Sequence, residues 1–319
     1  MPSRPLAASI LLAASLVLGC ATVSEDDSHW LSNPTAEQGD PRIGQYISSR
    51  WSFQTSSYWI EGPEGLVQIV GQFLPTALIK ELRRAHRLTG KDPVLAIVLH
   101  PNPDRFNGTG YLRERGVRVV TSEQVRAHIP AVHEKWTPVF FEKYAISKYP
   151  RTLVLPDAFG GATQELSAGG VTVKAHVMGA GCSPAHVVVE WEGHLFVGDL
   201  VGNGAHGWFE NGRVDEWLKR LDELRALRPK WIHPGRGHTG GPELLDQQVE
   251  FLNTVISAVA AEKPRGRSTP EAMARIMETV MKRYPDRAFP EFLRALLSGE
   301  WARQAAQAVA AERQPAAAG

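Results

Sequence analysis

The sequence predicts a layered α/β protein that ends in a small helical appendix, and three observations carry that expectation. Short apolar runs of strand length fall into two groups, and segments of helical periodicity flank both. Several of these runs stop at polar stretches broken by Pro or Gly, the pattern of buried strands that deliver side chains to a sheet edge. After a polar break at Lys263–Ser268 the pattern is helical almost to the end of the chain.

Taken in order, Ala21 to about Arg42 is polar and irregular and suits a tether. Ser57-Tyr58-Trp59-Ile60, the turn Glu61-Gly62-Pro63-Glu64-Gly65 and Leu66–Val70 read as two strands and their connection. Leu74, Leu78, Leu82, Ala85 and Leu88 recur at helical spacing, with Pro75 suited to the first turn and Gly90 to the close. Val94–Leu99 is the next strand and Val117–Val120 another. Thr121 with Gln124 forms a capping box for a helix carrying Val125, and helical segments run to about Tyr149. Strands follow at Leu153–Leu155, Val171–Val177, His186–Val189 and Leu195–Val197. A helix over Asp215–Leu227 places Trp217, Leu221 and Leu224 on one face and leads through Lys230-Trp231-Ile232 to a loop at His233–His238. Leu245, Val249, Leu252, Ile256 and Val259 mark a further helix. Two more span roughly 270–283 and 288–312, and Gln314–Gly319 frays.

The chain has 319 residues, long enough for one large domain or two, and 43% hydrophobic residues supply a packed core. Thirty-five basic residues against 34 acidic ones leave no electrostatic case for nucleic acid or for an acidic membrane surface. Arg4, the apolar run Leu6–Leu18 and Gly19-Cys20 form a charged n-region and an h-region too short to span a membrane. Val17-Leu18-Gly19-Cys20 resembles a bacterial lipoprotein signal, which implies removal of residues 1–19, lipid attachment at Cys20 and a membrane-anchored place in the cell envelope on the periplasmic side. A plain signal peptide with an incidental cysteine is the alternative. With Cys20 lipidated, Cys182 is the single remaining thiol, so no intramolecular disulfide forms.

Polar groups follow apolar runs at His100-Pro101-Asn102-Pro103-Asp104-Arg105, at Gly198-Asp199 and at His233–His238. The loop from Gly179 to His186, containing Cys182, lies between strands. An imidazole, a carboxylate and a guanidinium within six residues are not an ordinary metal cluster.

These stretches, in this order, resemble the metallo-β-lactamase fold superfamily across roughly residues 50–260. The likeness rests on Ser57-Tyr58-Trp59-Ile60-Glu61-Gly62, His100-x-Asn-x-Asp-Arg with Asn107-Gly108, Gly181-Cys182-Ser183-Pro184, Leu195-Phe196-Val197-Gly198-Asp199-Leu200 and Pro234-Gly235-Arg236-Gly237. The resemblance implies an αββα sandwich, and with the helical pattern at the end of the chain it gives the arrangement signal peptide 1–19, tether 20–45, sandwich domain 46–262 and C-terminal helical extension 263–319. It also implies hydrolysis at two zinc ions, held by a loop that reads His-x-His-x-Asp-His in the family. Here Asn102 and Arg105 stand where imidazoles belong, Cys182 where the next His does, and Arg236 where the last does. Val70-Gly71-Gln72 replaces an expected Asp. Arginine has no lone pair to give a cation, so two zinc ions are not expected.

Two readings follow. One zinc could be retained on His100, Cys182 and Asp199, with Asp104 as a further ligand, in a hydrolase of an ester, thioester or lactam. Alternatively, Arg105 and Arg236 replace the lost cations and pair with Asp104 and Asp199, beside Asn102, in a metal-poor binding protein for a small molecule. A third idea makes Cys182 a nucleophile with His186, His233 or His238 as base, against the plainer reading of a buried structural thiol. His86, His128, His133 and His176 read as surface or core residues, and Trp208 as a wall residue after the Asp199 strand.

Overall fold

A computed structural model of the chain describes residues 39–69, 71–143, 149–208 and 214–313. The segment read from the sequence as a lipoprotein signal with Cys20, most of the expected tether and the C-terminal tail lie outside the described residues. The chain divides into two compact units. The first comprises Met1–Val177 with His186–Trp191, the second Met178–Ala185 with Glu192–Gly319.

A six-stranded sheet of order β1-β2-β3-β4-β5-β6 organises the first unit. Strands β1 (Ile43–Ile47), β2 (Ser56–Gly62) and β3 (Gly65–Ile69) form an antiparallel meander, and β4 (Pro93–Ile97), β5 (Arg118–Thr121) and β6 (Asp157–Ala158) continue it in parallel. Parallel neighbours need long crossovers. They are supplied by helix α1 (Pro75–Thr89), the short helices α2 (Pro103–Phe106) and α3 (Thr109–Arg113), and α4 (Glu123–Lys143). Strand β1 begins where the expected tether, placed at 20–45, gives way to the sandwich domain, in a stretch the sequence did not mark as strand. It holds because Gly44 lies opposite Trp59, whose indole fills the space a side chain at Gly44 would need.

Helix α1 starts at Pro75 and closes on Gly90 at φ 71°, as the sequence indicates. Its buried face, however, is Ala77, Leu78, Glu81 and Ala85, whereas Leu88 is 53% exposed. The apolar stripe read from leucines alone is therefore rotated, because a carboxyl group takes an inward position.

Three other expectations change. Leu153–Leu155 is not a strand: pairing begins only after Pro156, which has no N–H to give, and is limited to Asp157 and Ala158. The cap of α4 is Ser122, whose Oγ accepts from Val125 N at 3.2 Å; Thr121 Oγ1 instead donates to Val98 O at 2.7 Å, extending the sheet past the end of β4. His233–Arg236 is strand rather than loop.

That strand is β11 (Trp231–Arg236), one of five in the second sheet with β7 (Gln164–Ala168), β8 (Val171–Met178), β9 (His186–Trp191) and β10 (His194–Gly202). In the first unit β7 and β8 pair as an antiparallel hairpin. In the second, β10 and β11 pair in parallel with register shifts on both sides of Gly198, where Pro234 lies opposite. A proline inside a sheet is tolerated at such an irregularity. Helices α5 (Val214–Ala226), α6 (Glu243–Ala261), α7 (Pro270–Arg283) and α8 (Pro290–Arg313) complete the second unit, with α7 and α8 packed on α6 and on each other. Among the described residues no helix is long and apolar enough to cross a membrane.

Candidate functional site

Strand β4 brings His100 to the sheet edge. The chain is held there by Val98 N donating to Val120 O at 2.9 Å and by Leu99 O accepting from Val187 N at 2.6 Å. It then turns into α2 with Pro103 in the first turn, and Asn102 O accepts from Arg105 N at 2.9 Å. Gly71 N donates to Arg105 O at 3.1 Å, and a side chain on Gly108 would meet Gly71 O at 2.1 Å. The Gly71 backbone thus presses directly on the loop that carries Arg105, which accounts for the two glycines.

Arg105 is fully buried, 0% exposed, at the centre of this edge. Its Nε donates to His100 Nε2 at 3.1 Å, its Nη1 donates to Ser56 O at 3.1 Å, and its Nη2 lies 3.3 Å from Asp104 Oδ2. Thr55 Oγ1 donates to the same carboxylate oxygen at 3.2 Å. A guanidinium cannot accept, so His100 Nε2 must be the unprotonated ring nitrogen that offers its lone pair to Arg105. The buried His186 ring lies 5.4 Å from that of His100. One permanent cation therefore engages an imidazole lone pair, a carboxylate and a main-chain carbonyl.

Behind this cluster is a polar layer that the sequence did not reveal. Gln72, at φ 58°, donates through Nε2 to Ser57 Oγ at 2.6 Å and to Thr55 O at 3.3 Å. Gln68 Nε2 donates to Glu81 Oε1 at 2.5 Å. Burial pushes the Glu81 carboxyl up from 4.5 to about 8, although hydrogen bonds with Ser57, Gln68 and Gln72 oppose it. A carboxylate on the apolar stripe of an amphipathic helix was the one available sequence signal for this layer.

In the second unit, Gly198 at φ 54° forms the irregularity in β10 just before Asp199. Such bulges re-aim the neighbouring side chain. Asp199 Oδ1 accepts from Arg236 Nη1 at 2.6 Å with both side chains nearly buried, and the guanidinium carbon lies 5.8 Å from the Phe292 ring centroid. Trp208 packs edge-on against Phe292 at 5.1 Å, so it belongs to the same aromatic group. His233 is held between His194 Nδ1, 3.0 Å from its Nε2, and Thr239 Oγ1, 2.8 Å from its Nδ1, and is stacked 4.2 Å from Phe196. Burial, and then His194, push it well below the ordinary imidazole range, so it is a neutral strand tie. His238 is exposed, and Cys182 is a buried thiol outside any disulfide.

The structure thus brings together His100, Asp104, Arg105 and His186 in the first unit, with Asn102 contributing its carbonyl. In the second it pairs Asp199 with Arg236 and leaves His233 engaged elsewhere. Among the described residues no group of three His, Cys, Asp or Glu side chains is placed to hold a metal ion. The donor chemistry does not suit a dizinc centre: the His100 lone pair and both carboxylates meet guanidinium N–H groups.

Two mixed sheets flanked by helices, with His, Asp and Arg side chains gathered at strand ends, define an α/β sandwich class of protein. The family model of the metallo-beta-lactamase superfamily matches residues 50–236, and the chain belongs to that superfamily. It is 25% identical over 169 residues to a metallo-beta-lactamase type 2 of Bacteroides fragilis, a match covering 50% of this chain and 60% of that protein. Among solved structures it is similar to the metallo-beta-lactamase IND-7, with 16% identity, a TM-score of 0.51, and coverage of 62% of this chain and 86% of that one. The DIM-1 metallo-beta-lactamase gives 16% identity and a TM-score of 0.50, covering 67% and 94%. These structures support the αββα fold class anticipated from the sequence.

Two outcomes test the first unit's site. Replacing Arg105 by Ala leaves Asp104 buried without its cation and should lower unfolding free energy by about 3–5 kcal/mol in urea titrations; a change within experimental error would show the pair to be unimportant. Folded Glu81 keeps a proton that the unfolded chain releases, so its contribution to stability is full below pH 4.5 and is lost as pH rises towards about 8. Glu81→Gln should therefore lose less stability than the wild type between pH 5 and pH 8, whereas parallel pH profiles would refute the protonated carboxyl.

Proposed function

We propose that this chain is a diverged member of the superfamily in which buried arginines supply the positive charge that zinc ions supply in its hydrolytic relatives. On this reading it is metal-poor and non-hydrolytic, and its role is to bind a small molecule. The observation that carries the reading is the contact of Arg105 Nε with His100 Nε2, supported by the Arg236–Asp199 pair. Each guanidinium uses the atoms through which a metal would be held, and neither can be deprotonated to make way for one.

The N-terminal segment completes the proposal with an address. Val17-Leu18-Gly19-Cys20 supports a lipoprotein anchored to the membrane through Cys20 and facing the periplasm, and the balanced charge supports no nucleic-acid partner.

Zinc analysis of protein from residue 21 onward, purified without chelator, should find well below one ion per chain, unchanged in Cys182→Ala. Near-stoichiometric zinc that disappears in that variant would overturn the proposal in favour of a one-zinc hydrolase on His100, Cys182 and Asp199. For the anchor, fractionation of cells expressing the full chain should place it with membranes and its Cys20→Ala variant in the soluble fraction; the same distribution for both would exclude lipid attachment at Cys20.

A further inference from the structure

At the opposite edge of the six-stranded sheet, where β4 begins rather than ends, the first unit carries a groove of about 590 Å³. That volume lies in the range of small-molecule sites. Its apolar lining comes from Ile79 and Leu82 of α1, Pro93 at the start of β4 and Val117 before β5. Tyr111 closes one side, with the Arg115 guanidinium carbon stacked 3.4 Å from its ring centroid.

The charge on the lining is one-sided. Arg83 and Arg87 stand one helical turn apart on α1 and face the same groove, with Arg115 supplied from α3's end of the chain. Like charges at this spacing repel, and neither Arg83 nor Arg87 makes an ion pair or hydrogen bond among the described residues. The helix dipole favours a cation in the last turn, which accounts for Arg87. It does not account for Arg83. Arg115 is placed by Tyr111, whose carbonyl accepts from its Nη1 at 3.2 Å and whose ring it stacks on, which holds its guanidinium at the groove. The single acid in the groove, Asp92, is matched to His86 at 3.0 Å.

We propose that this groove binds a small anionic amphiphile, a carboxylate or phosphate group on an apolar body, with the head between Arg83, Arg87 and Arg115 and the body over Leu82, Pro93 and Val117. Charge complementarity selects the anion, since a guanidinium fork matches both head groups. The apolar floor selects a body over a bare ion. The site shares no residue with the His100 cluster and stands whether or not that cluster holds metal.

Calorimetric titration of the full chain with monomeric octyl phosphate, octanol and inorganic phosphate tests the proposal. Octyl phosphate should bind at one saturable site, and Arg83→Ala/Arg87→Ala should weaken it by about tenfold or more. Leu82→Ser should weaken octyl phosphate and leave inorganic phosphate unchanged. Octanol or inorganic phosphate binding as tightly as octyl phosphate would overturn the proposal, as would equal affinity in the double-arginine variant or no binding at all. Phosphatidylglycerol vesicles form the last arm: arginine-dependent vesicle binding without binding of free octyl phosphate would assign the groove to a membrane surface and reject the small ligand.

Discussion

A carboxylate taken out of water must find a cation or several donors, and a charge cluster in each unit of this protein is arranged by that requirement. Desolvation costs several kcal/mol per ion, and only close, well-directed partners recover it. Asp104 is supported by Arg105 and Thr55, and Asp199 by Arg236, at 3.3, 3.2 and 2.6 Å. Arg105 in turn needs acceptors for its own donors, and His100 and Ser56 O supply them. The glycines at 71 and 108 let the loop come close enough for this geometry to form. Charge compensation therefore fixes the loop, and the loop fixes the sheet edge.

The sequence made the fold class legible because its signals are local and redundant. Apolar runs, Pro75 and Gly90 around α1, and a run of motifs in family order each point the same way. It also made Arg105 and Arg236 conspicuous, since an arginine cannot do what a ligand histidine does. What the sequence could not carry was anything set by a partner distant along the chain. Strand β1 is invisible without knowing that Trp59 covers Gly44. His233 reads as a loop histidine until β10 pairs with β11 and places it between His194 and Thr239. Leu153–Leu155 has strand composition, but Pro156 and the short available length of β5 decide the pairing.

The rotated face of α1 illustrates the same limit in energetic terms. A leucine count puts Leu82 and Leu88 inside. The fold buries Glu81 instead, because Gln68, Gln72 and Ser57 provide a polar layer that no apolar side chain could satisfy. Turning that face inward leaves Leu82, Arg83 and Arg87 on the other side, where they line the groove at the start of β4. One buried carboxyl thus sets the chemistry of a surface on the opposite side of its helix.

The contact between Arg105 and His100 also bears on how such a chain can change over generations. Placing a histidine at position 105 would add a side chain able to ligate but, in the same step, would strip Asp104 of its permanent cation and leave Ser56 O without its donor. Such a step would lose stability without assembling a metal site by itself. Position 105 is thereby constrained by the folding requirement itself, since its side chain cannot be exchanged without unpairing a buried carboxylate.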